Sequence, residues 1–144
     1  NSSVLGFVAL KYRGAYNASK FAIEGLTDTL RLEFRGSDIH FILVEPGPIE
    51  SRFRANALKA FTHNIDAIHS PHHDTYVQLV HKLETEGPVV PFTLKADAVL
   101  AKVIHALEAK NPQARYYVTF PTYLFGYLKR LLPIRVMDRI LYKV

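Results

Sequence analysis

The chain of 144 residues contains no cysteine, only one methionine and no long run of apolar residues. The absence of cysteine excludes disulfides and thiolate-bound metals, and it is compatible with a reducing compartment. A membrane-spanning helix needs about 18 consecutive residues that are mostly apolar, and no such run occurs. The first residues also lack the basic and apolar regions of a secretory signal.

Composition indicates a globular chain with a real core, because hydrophobic residues make up 49% and the mean hydropathy is +0.02. The length predicts one domain. The net charge of +5 is concentrated in residues 123–144. That segment carries Lys129, Arg130, Arg135, Arg139 and Lys143 against Asp138. The remainder is almost neutral, whereas a nucleic-acid-binding surface needs a broad basic face, so no nucleic-acid partner is predicted.

Helical and strand patterns alternate along the chain. Apolar periodicity predicts helices over 15–35 and 96–107, and short apolar runs predict strands over 39–44 and 115–119. Residues 51–92 show weaker periodicity, and we interpret them as an excursion with one or two helices. Strands that alternate with helices predict an α/β fold with a parallel sheet and right-handed crossovers.

The first helix has a regular apolar stripe with four-residue spacing, formed by Ala18, Ala22, Leu26, Leu30 and Phe34. Its charged residues lie largely off that stripe: Glu24, Asp28, Arg31 and Glu33.

Tyr16 and Lys20 lie four residues apart in this helix, so both side chains project from one face. An ammonium about 4 Å from a phenol favours the phenolate by roughly 4 kcal/mol at an effective dielectric constant of 20. Such a tyrosine is suited to exchange a proton with a carbonyl or alcohol oxygen. Ser3, thirteen residues before Tyr16, supplies a hydroxyl that would orient the same oxygen if a strand ends there.

Two predicted strands end in turns, at Ser3 and at Pro46-Gly47. Ligands of doubly wound sheets bind outside the carboxyl ends of the strands. Both turns are therefore expected at one edge of the sheet, where a cofactor and a substrate would meet.

Taken together, Ser3, Tyr16-x-x-x-Lys20 and the Pro-Gly loop resemble the second half of the short-chain dehydrogenase/reductase family. The resemblance implies a Rossmann-like doubly wound parallel sheet and NAD or NADP as cofactor. It also implies that Ser3, Tyr16 and Lys20 are catalytic and that Tyr16 and Lys20 contact the cofactor. The implied loop contacts to the nicotinamide carboxamide are Pro46, Gly47, Pro48 and Ile49, and Ser51 occupies the position where the family commonly has threonine.

The chain lacks the Gly-rich phosphate loop, the Asn-Ala-Gly segment and the additional catalytic asparagine of that family. We therefore expect residues 1–144 to form the C-terminal part of a single Rossmann-like dehydrogenase domain within a longer polypeptide. In this interpretation, residues 51–92 are a substrate-loop excursion and residues 123–144 are C-terminal amphipathic helices.

The predicted function is an NAD(P)-dependent oxidoreductase that interconverts an alcohol and a carbonyl, with a small and apolar substrate. A cytoplasmic homo-oligomer is expected. The alternative is a non-catalytic fragment or interaction module of the same fold.

Two further segments leave alternatives open. The excursion contains His63, His69, His72, His73 and His81 with Asp66 and Asp74, which we interpret as a polar loop and not as a metal site. Leucine and isoleucine spacing predicts two short amphipathic helices within 123–144, joined at Pro133. These helices either pack over the substrate cleft or a subunit contact, or they attach peripherally to a membrane.

Overall fold

The computed structural model of the chain describes residues 1–85, 87 and 90–144. The chain forms, in order, a 3-10 helix (Val4–Gly6), α1 (Gly14–Glu33), β1 (Leu43–Glu45), α2 (Phe53–Asn64), α3 (His73–Glu84), α4 (Asp97–Glu108), β2 (Arg115–Tyr117), α5 (Phe120–Leu131) and α6 (Ile134–Leu141). Strands and helices alternate as predicted, which confirms the α/β class.

The sheet is centred on β1. On one side β1 pairs in parallel with β2, with Leu43 opposite Arg115 and Glu45 opposite Tyr117. On the other side the extended residues before the 3-10 helix run beside β1, because Ser2 N donates to the Val44 carbonyl and Val4 N to the Pro46 carbonyl, both at 2.8 Å. The backbone therefore enters the Ser3 turn alongside β1.

The predicted strand over 39–44 is too long, because β1 begins only at Leu43. Pairing with the neighbouring chain starts where Leu43 N donates to the Ala114 carbonyl at 3.0 Å. Before that point Ile39 is 55% exposed and Phe41 packs on Phe34, with ring centroids 5.2 Å apart. Residues 39–42 are thus an apolar approach to the sheet and not part of its ladder.

Two apolar clusters form the core. Val44, Tyr116 and Val118 pack under α4. Leu5, Val8 and Met137 form the second cluster, surrounded by inward side chains of α5 and α6 and by Tyr16. The inner faces of the C-terminal helices therefore pack against the segment that carries the Ser3 turn. Among the residues that the structure describes, no helix is long and apolar enough to cross a membrane.

The orientation of α1 differs from the expectation raised by its apolar stripe. Ala18, Ala22 and Leu26 face solvent, and Leu26 is 60% exposed. The residues of α1 that are buried are Asn17 and Glu24. The stripe correctly indicated a helix, but the polar face is the one that packs on the sheet, because Arg115 of β2 pairs with the carboxylates there.

The excursion forms two helices, α2 and α3, which meet where the Phe61 and Tyr76 rings pack edge to face at 5.3 Å. His69 Nδ1 lies 2.8 Å from Asp66 Oδ2, and His73 Nδ1 lies 2.9 Å from the Ala67 carbonyl. Within the described ranges no group of three potential metal ligands is assembled. Residues 86, 88 and 89 of the excursion lie outside the described residues.

Candidate active site

The first two turns of α1 carry the tyrosine–lysine pair. The Lys20 ammonium lies 5.6 Å from the centre of the Tyr16 ring and donates to the Asn1 carbonyl at 3.1 Å. In the part of the chain that the structure describes, the Tyr16 hydroxyl makes no hydrogen bond and Lys20 makes no other. Because an ammonium has three donors, the pair retains hydrogen-bonding capacity for a ligand.

The start of α1 is held by Asn17. Its backbone N–H begins the helix by donating to the Arg13 carbonyl at 2.8 Å, and its side-chain amide donates to the Leu10 carbonyl at 3.0 Å. The buried amide thus ties the loop after the 3-10 helix to the first helical turn, directly beside Tyr16. Asn17 was not among the predicted site residues.

Ser3 has an extended backbone conformation and immediately precedes the 3-10 helix. Its Oγ accepts the N–H of Leu5 at 3.1 Å and caps the 3-10 helix. That bond fixes the oxygen and leaves the hydroxyl proton available to an acceptor.

The Pro-Gly loop is hydrogen-bonded to the Ser3 turn through Val4 N and the Pro46 carbonyl. Its other end is held by Leu94, which accepts from Glu50 N at 2.9 Å and donates to the Pro48 carbonyl at 3.1 Å. Ile49 pairs with Leu94 in a parallel bridge. The structure therefore brings the two predicted turns side by side and holds the loop from both directions.

Gly47 is required by close packing within this loop. A Cβ atom there would lie 2.1 Å from Thr119 Oγ1 and 2.8 Å from Thr122 Oγ1. The two threonines are fully buried at the start of α5, with their hydroxyls 3.1 Å apart. The sequence carries no signal for this threonine pair apart from the glycine that it demands.

Ser51 lies outside the immediate group. It is exposed, and its Oγ accepts the N–H of Phe53 at 3.3 Å at the start of α2. Phe53 reaches back to the catalytic candidates, because its ring packs edge to face on Tyr16 with centroids 5.2 Å apart. Phe53 was not among the predicted site residues, and it forms an apolar wall beside the tyrosine.

A partly buried ion cluster lies further along the same face of α1. Arg115 contacts Glu24, donates to Glu45 at 2.6 Å and makes two hydrogen bonds of 2.8 Å to Asp28. Glu45 is fully buried, and its position directly before Pro46 connects the cluster to the loop. The signal for this cluster was present in the sequence, since Glu24 and Asp28 continue the four-residue spacing of Tyr16 and Lys20.

Three carboxylates share one guanidinium in this cluster, so their protonation is unequal. Burial, with the nearby charge of Glu24, raises the pKa of Glu45 to about 8 despite the opposing charge of Arg115. The pKa of Asp28 is lowered, because the hydrogen bond from Arg31 and the charge of Arg115 outweigh the effect of burial. Burial and the neighbouring Glu24 charge therefore favour the protonated form of Glu45 at neutral pH.

Comparison with known proteins gives a consistent set of matches. The sequence profile of the family described as short chain dehydrogenase matches residues 1–61. A protein of Escherichia coli named Uncharacterized oxidoreductase YbbO is 43% identical over 140 residues, which cover 97% of this chain and 46% of that protein. The NADPH-dependent 3-dehydrocapnine reductase of Ornithobacterium rhinotracheale is 31% identical over 144 residues, covering 99% of this chain and 48% of that protein.

A third relative is the 3-ketodihydrosphingosine reductase of Bacteroides thetaiotaomicron, 30% identical over 150 residues, with 99% of this chain and 52% of that protein covered. The chain thus spans about half the length of the curated relatives that it matches.

Proposed function

Since the chain belongs to the short-chain dehydrogenase/reductase family, we propose that the complete protein is an NAD(P)-dependent oxidoreductase that interconverts a hydroxyl and a carbonyl group. The family's Rossmann-like doubly wound sheet accounts for the parallel strands and flanking helices. Residues 1–144 would form the C-terminal portion of that single domain. The observation that carries the proposal is a chain of contacts: Lys20 lies over the Tyr16 ring and donates to the Asn1 carbonyl, two residues before Ser3, and the Ser3 turn is hydrogen-bonded to the Pro-Gly loop.

In the proposed reaction Tyr16 exchanges a proton with the substrate oxygen. The Lys20 ammonium lies 5.6 Å from the centre of the Tyr16 ring and would bind the cofactor beside it. Ser3 would donate its hydroxyl proton to the same oxygen and orient it, since Leu5 N–H occupies one of the two lone pairs of Ser3 Oγ. These assignments give each of the three side chains a separate task in general acid–base catalysis.

The unused hydrogen-bonding capacity of this region fits a dinucleotide. Lys20 has donors left for ribose hydroxyls, and the loop Pro46, Gly47, Pro48 and Ile49 would lie against the nicotinamide carboxamide, with Ser51 at its end. When bound, the nicotinamide would supply or accept the hydride. NAD and NADP are both compatible with these residues, and the name of one relative as NADPH-dependent makes NADPH the first choice to test.

An apolar carbonyl compound is the proposed substrate class. Phe53 packs against Tyr16 and is itself 45% exposed, so it offers an apolar surface next to the reacting oxygen. Two relatives are named as reductases, one of them for a 3-keto compound, which favours reduction as the direction to assay.

We also propose that the enzyme is a cytoplasmic homo-oligomer. The exposed stripe of Ala18, Ala22 and Leu26 on α1 supports the subunit contact, because a contiguous apolar helix face is typical of a surface that another element covers.

The direct test uses the complete polypeptide with NADPH or NADH and a series of ketones and aldehydes of increasing apolar length. We expect cofactor oxidation that depends on the carbonyl compound and is lost in Tyr16→Phe. Tyr12→Phe is the matched control, since Tyr12 lies in the loop just before α1 and is 59% exposed. A folded protein that turns over no carbonyl compound with either cofactor would support the non-catalytic alternative.

A further inference from the structure

Helix α5 is apolar on two faces. In the part of the chain that the structure describes, one face packs into the core and the other is largely exposed, apart from the edge contact of Tyr123 with the Tyr117 ring at 5.3 Å. Its inner face packs into the core through Phe125, Leu128 and the buried Gly126. The opposite face of α5 carries Tyr123, Leu124, Tyr127 and Leu131. We call these four residues, together with Ile134 at the start of α6, the outer apolar face. Leu131 and Ile134 are each 77% exposed.

We propose that the outer apolar face of α5 and the basic residues beside it form a peripheral docking surface for an anionic lipid bilayer. Tyrosine and leucine side chains that lie beside arginine suit the boundary between headgroups and acyl chains.

The charges on this surface favour anionic lipid as the occupant. Arg135 and Arg139 are exposed on α6, and within the described ranges neither is ion-paired. Arg130 is also exposed and unpaired there, and it borders the pocket that holds Glu24 and Asp28. Lys129 is not counted, because it donates to the Phe7 carbonyl and lies over the Phe21 ring at 4.8 Å. Asp138 is the one acidic residue of the segment 123–144.

The same charges disfavour a second copy of this chain. In a symmetric contact the same patch meets itself, so two basic surfaces would oppose each other with little compensating acid. A bilayer that contains acidic phospholipid instead offers the complementary sign, with each arginine near the surface contributing about a fivefold gain in partitioning.

Docking on this side would bring the candidate active site close to lipid. Met137 of α6 packs with Leu5 and Val8, and Tyr16 packs against the same cluster. A bilayer held by the outer face would therefore lie one helix layer from the tyrosine. An apolar substrate dissolved in the bilayer would then lie close to the tyrosine. That consequence rests on the proposed function, whereas the docking itself does not.

The test is co-sedimentation of the complete polypeptide with vesicles of phosphatidylglycerol and phosphatidylcholine, compared with phosphatidylcholine alone, without cofactor or substrate. We expect binding to the anionic vesicles at low salt and release at high salt. Combined Arg130→Gln, Arg135→Gln and Arg139→Gln should lower partitioning by on the order of 100-fold. Leu131→Gln with Ile134→Gln should lower it by at least about tenfold.

The matched control is Leu107→Gln with Leu100→Gln on α4, where the side chains are 80% and 55% exposed. This pair should leave vesicle binding unchanged. Circular dichroism checks the fold of each variant, and Tyr127→Ser replaces the double variant if that variant misfolds.

Failure of the unaltered protein to bind anionic vesicles, or an equal loss in the α4 control, would overturn the proposal. So would a dimer that Leu131→Gln with Ile134→Gln dissociates and that does not bind vesicles, since the outer face would then be a subunit contact. Carbonyl reduction is assayed separately on a water-soluble ketone, so an inactive protein that still binds vesicles contradicts only the proposed function.

Discussion

The two ends of the polar face of α1 share a spacing but differ in their hydrogen bonding. Tyr16, Lys20, Glu24 and Asp28 follow one another at intervals of four residues. At the first end, the tyrosine hydroxyl has no partner in the described chain, and the lysine has one carbonyl. At the second end, Arg115 makes charged hydrogen bonds to both carboxylates and to Glu45.

This difference distinguishes a candidate ligand-binding site at the first end of α1 from a structural ion cluster at the second end. A buried charge must be paired to be tolerated, and the second end is paired by a guanidinium with a fixed fork geometry. The first end keeps donors and an acceptor unused, which is the condition for binding a ligand. Substitutions at the second end should therefore change stability, whereas substitutions at the first end should change turnover.

The largest expected effect is that of Arg115→Met on stability. Removal of the guanidinium leaves Glu24, Glu45 and Asp28 without their shared partner, and breaking a buried ion pair costs about 3–5 kcal/mol. We expect about 3 kcal/mol, the lower end, because the Arg115 side chain is 25% exposed.

Urea unfolding of the complete protein measures this loss. Arg35→Met, at an exposed arginine that follows α1, is the matched control and should change stability by less than about 0.5 kcal/mol. Equal stability of the Arg115 and Arg35 variants would show that the cluster contributes nothing to the fold.

Tyr16→Phe should have the second largest effect, and it should act on turnover. Loss of the proton-exchanging hydroxyl is expected to lower kcat by at least about 100-fold, or roughly 2.7 kcal/mol in activation free energy. Cofactor affinity and unfolding free energy should change far less, since the hydroxyl makes no hydrogen bond in the described residues. Steady-state kinetics of Tyr16→Phe beside Tyr12→Phe check this, and full activity of the first variant would remove Tyr16 from the mechanism.

Periodicity predicted α1 and α4 with small boundary errors, because helix formation depends on local spacing. It did not predict which face of α1 packs inward. That outcome depends on Arg115, which lies 87 residues from Asp28 along the chain, and no local pattern reports a partner at that distance.

Part of the candidate site is visible in the sequence. Ser3, Tyr16 and the Pro-Gly loop stand there as recognisable patterns, and the structure joins the Ser3 turn to the loop, while the roles of these residues stay predictions. Phe53 and the pair Thr119 and Thr122 reach the site only through the packing of α2 and α5, so their sequence neighbourhood gives no sign of it.

The third expected effect is a dependence of stability on pH that comes from Glu45. Its pKa is raised from 4.5 to about 8 in the folded chain, so between these values the folded state holds a proton that the unfolded state has released. Stability must then fall as pH rises through this window, by about 2 kcal/mol between pH 6 and pH 8.

Unfolding free energies at pH 6, 7 and 8 measure this slope. Glu45→Gln removes the titrating group, so the unfolding free energy of this variant should change much less between pH 6 and pH 8. Glu24 and Arg115 remain beside the substituted residue. The same slope in both proteins would assign the pH dependence to other groups.

The smallest expected effect concerns Ser51, at the exposed end of the Pro-Gly loop. Its hydroxyl accepts the N–H of Phe53, and in the proposed function it also donates to the cofactor. Ser51→Ala should therefore raise the KM for the cofactor by about fivefold, the equivalent of one hydrogen bond of about 1 kcal/mol, and should leave kcat nearly unchanged. Ser51→Thr keeps the hydroxyl and should retain the affinity of the unaltered protein. If Ser51→Ala and Ser51→Thr bind the cofactor equally well, the hydroxyl serves only the start of α2, and the cofactor-binding part of the loop ends before Ser51.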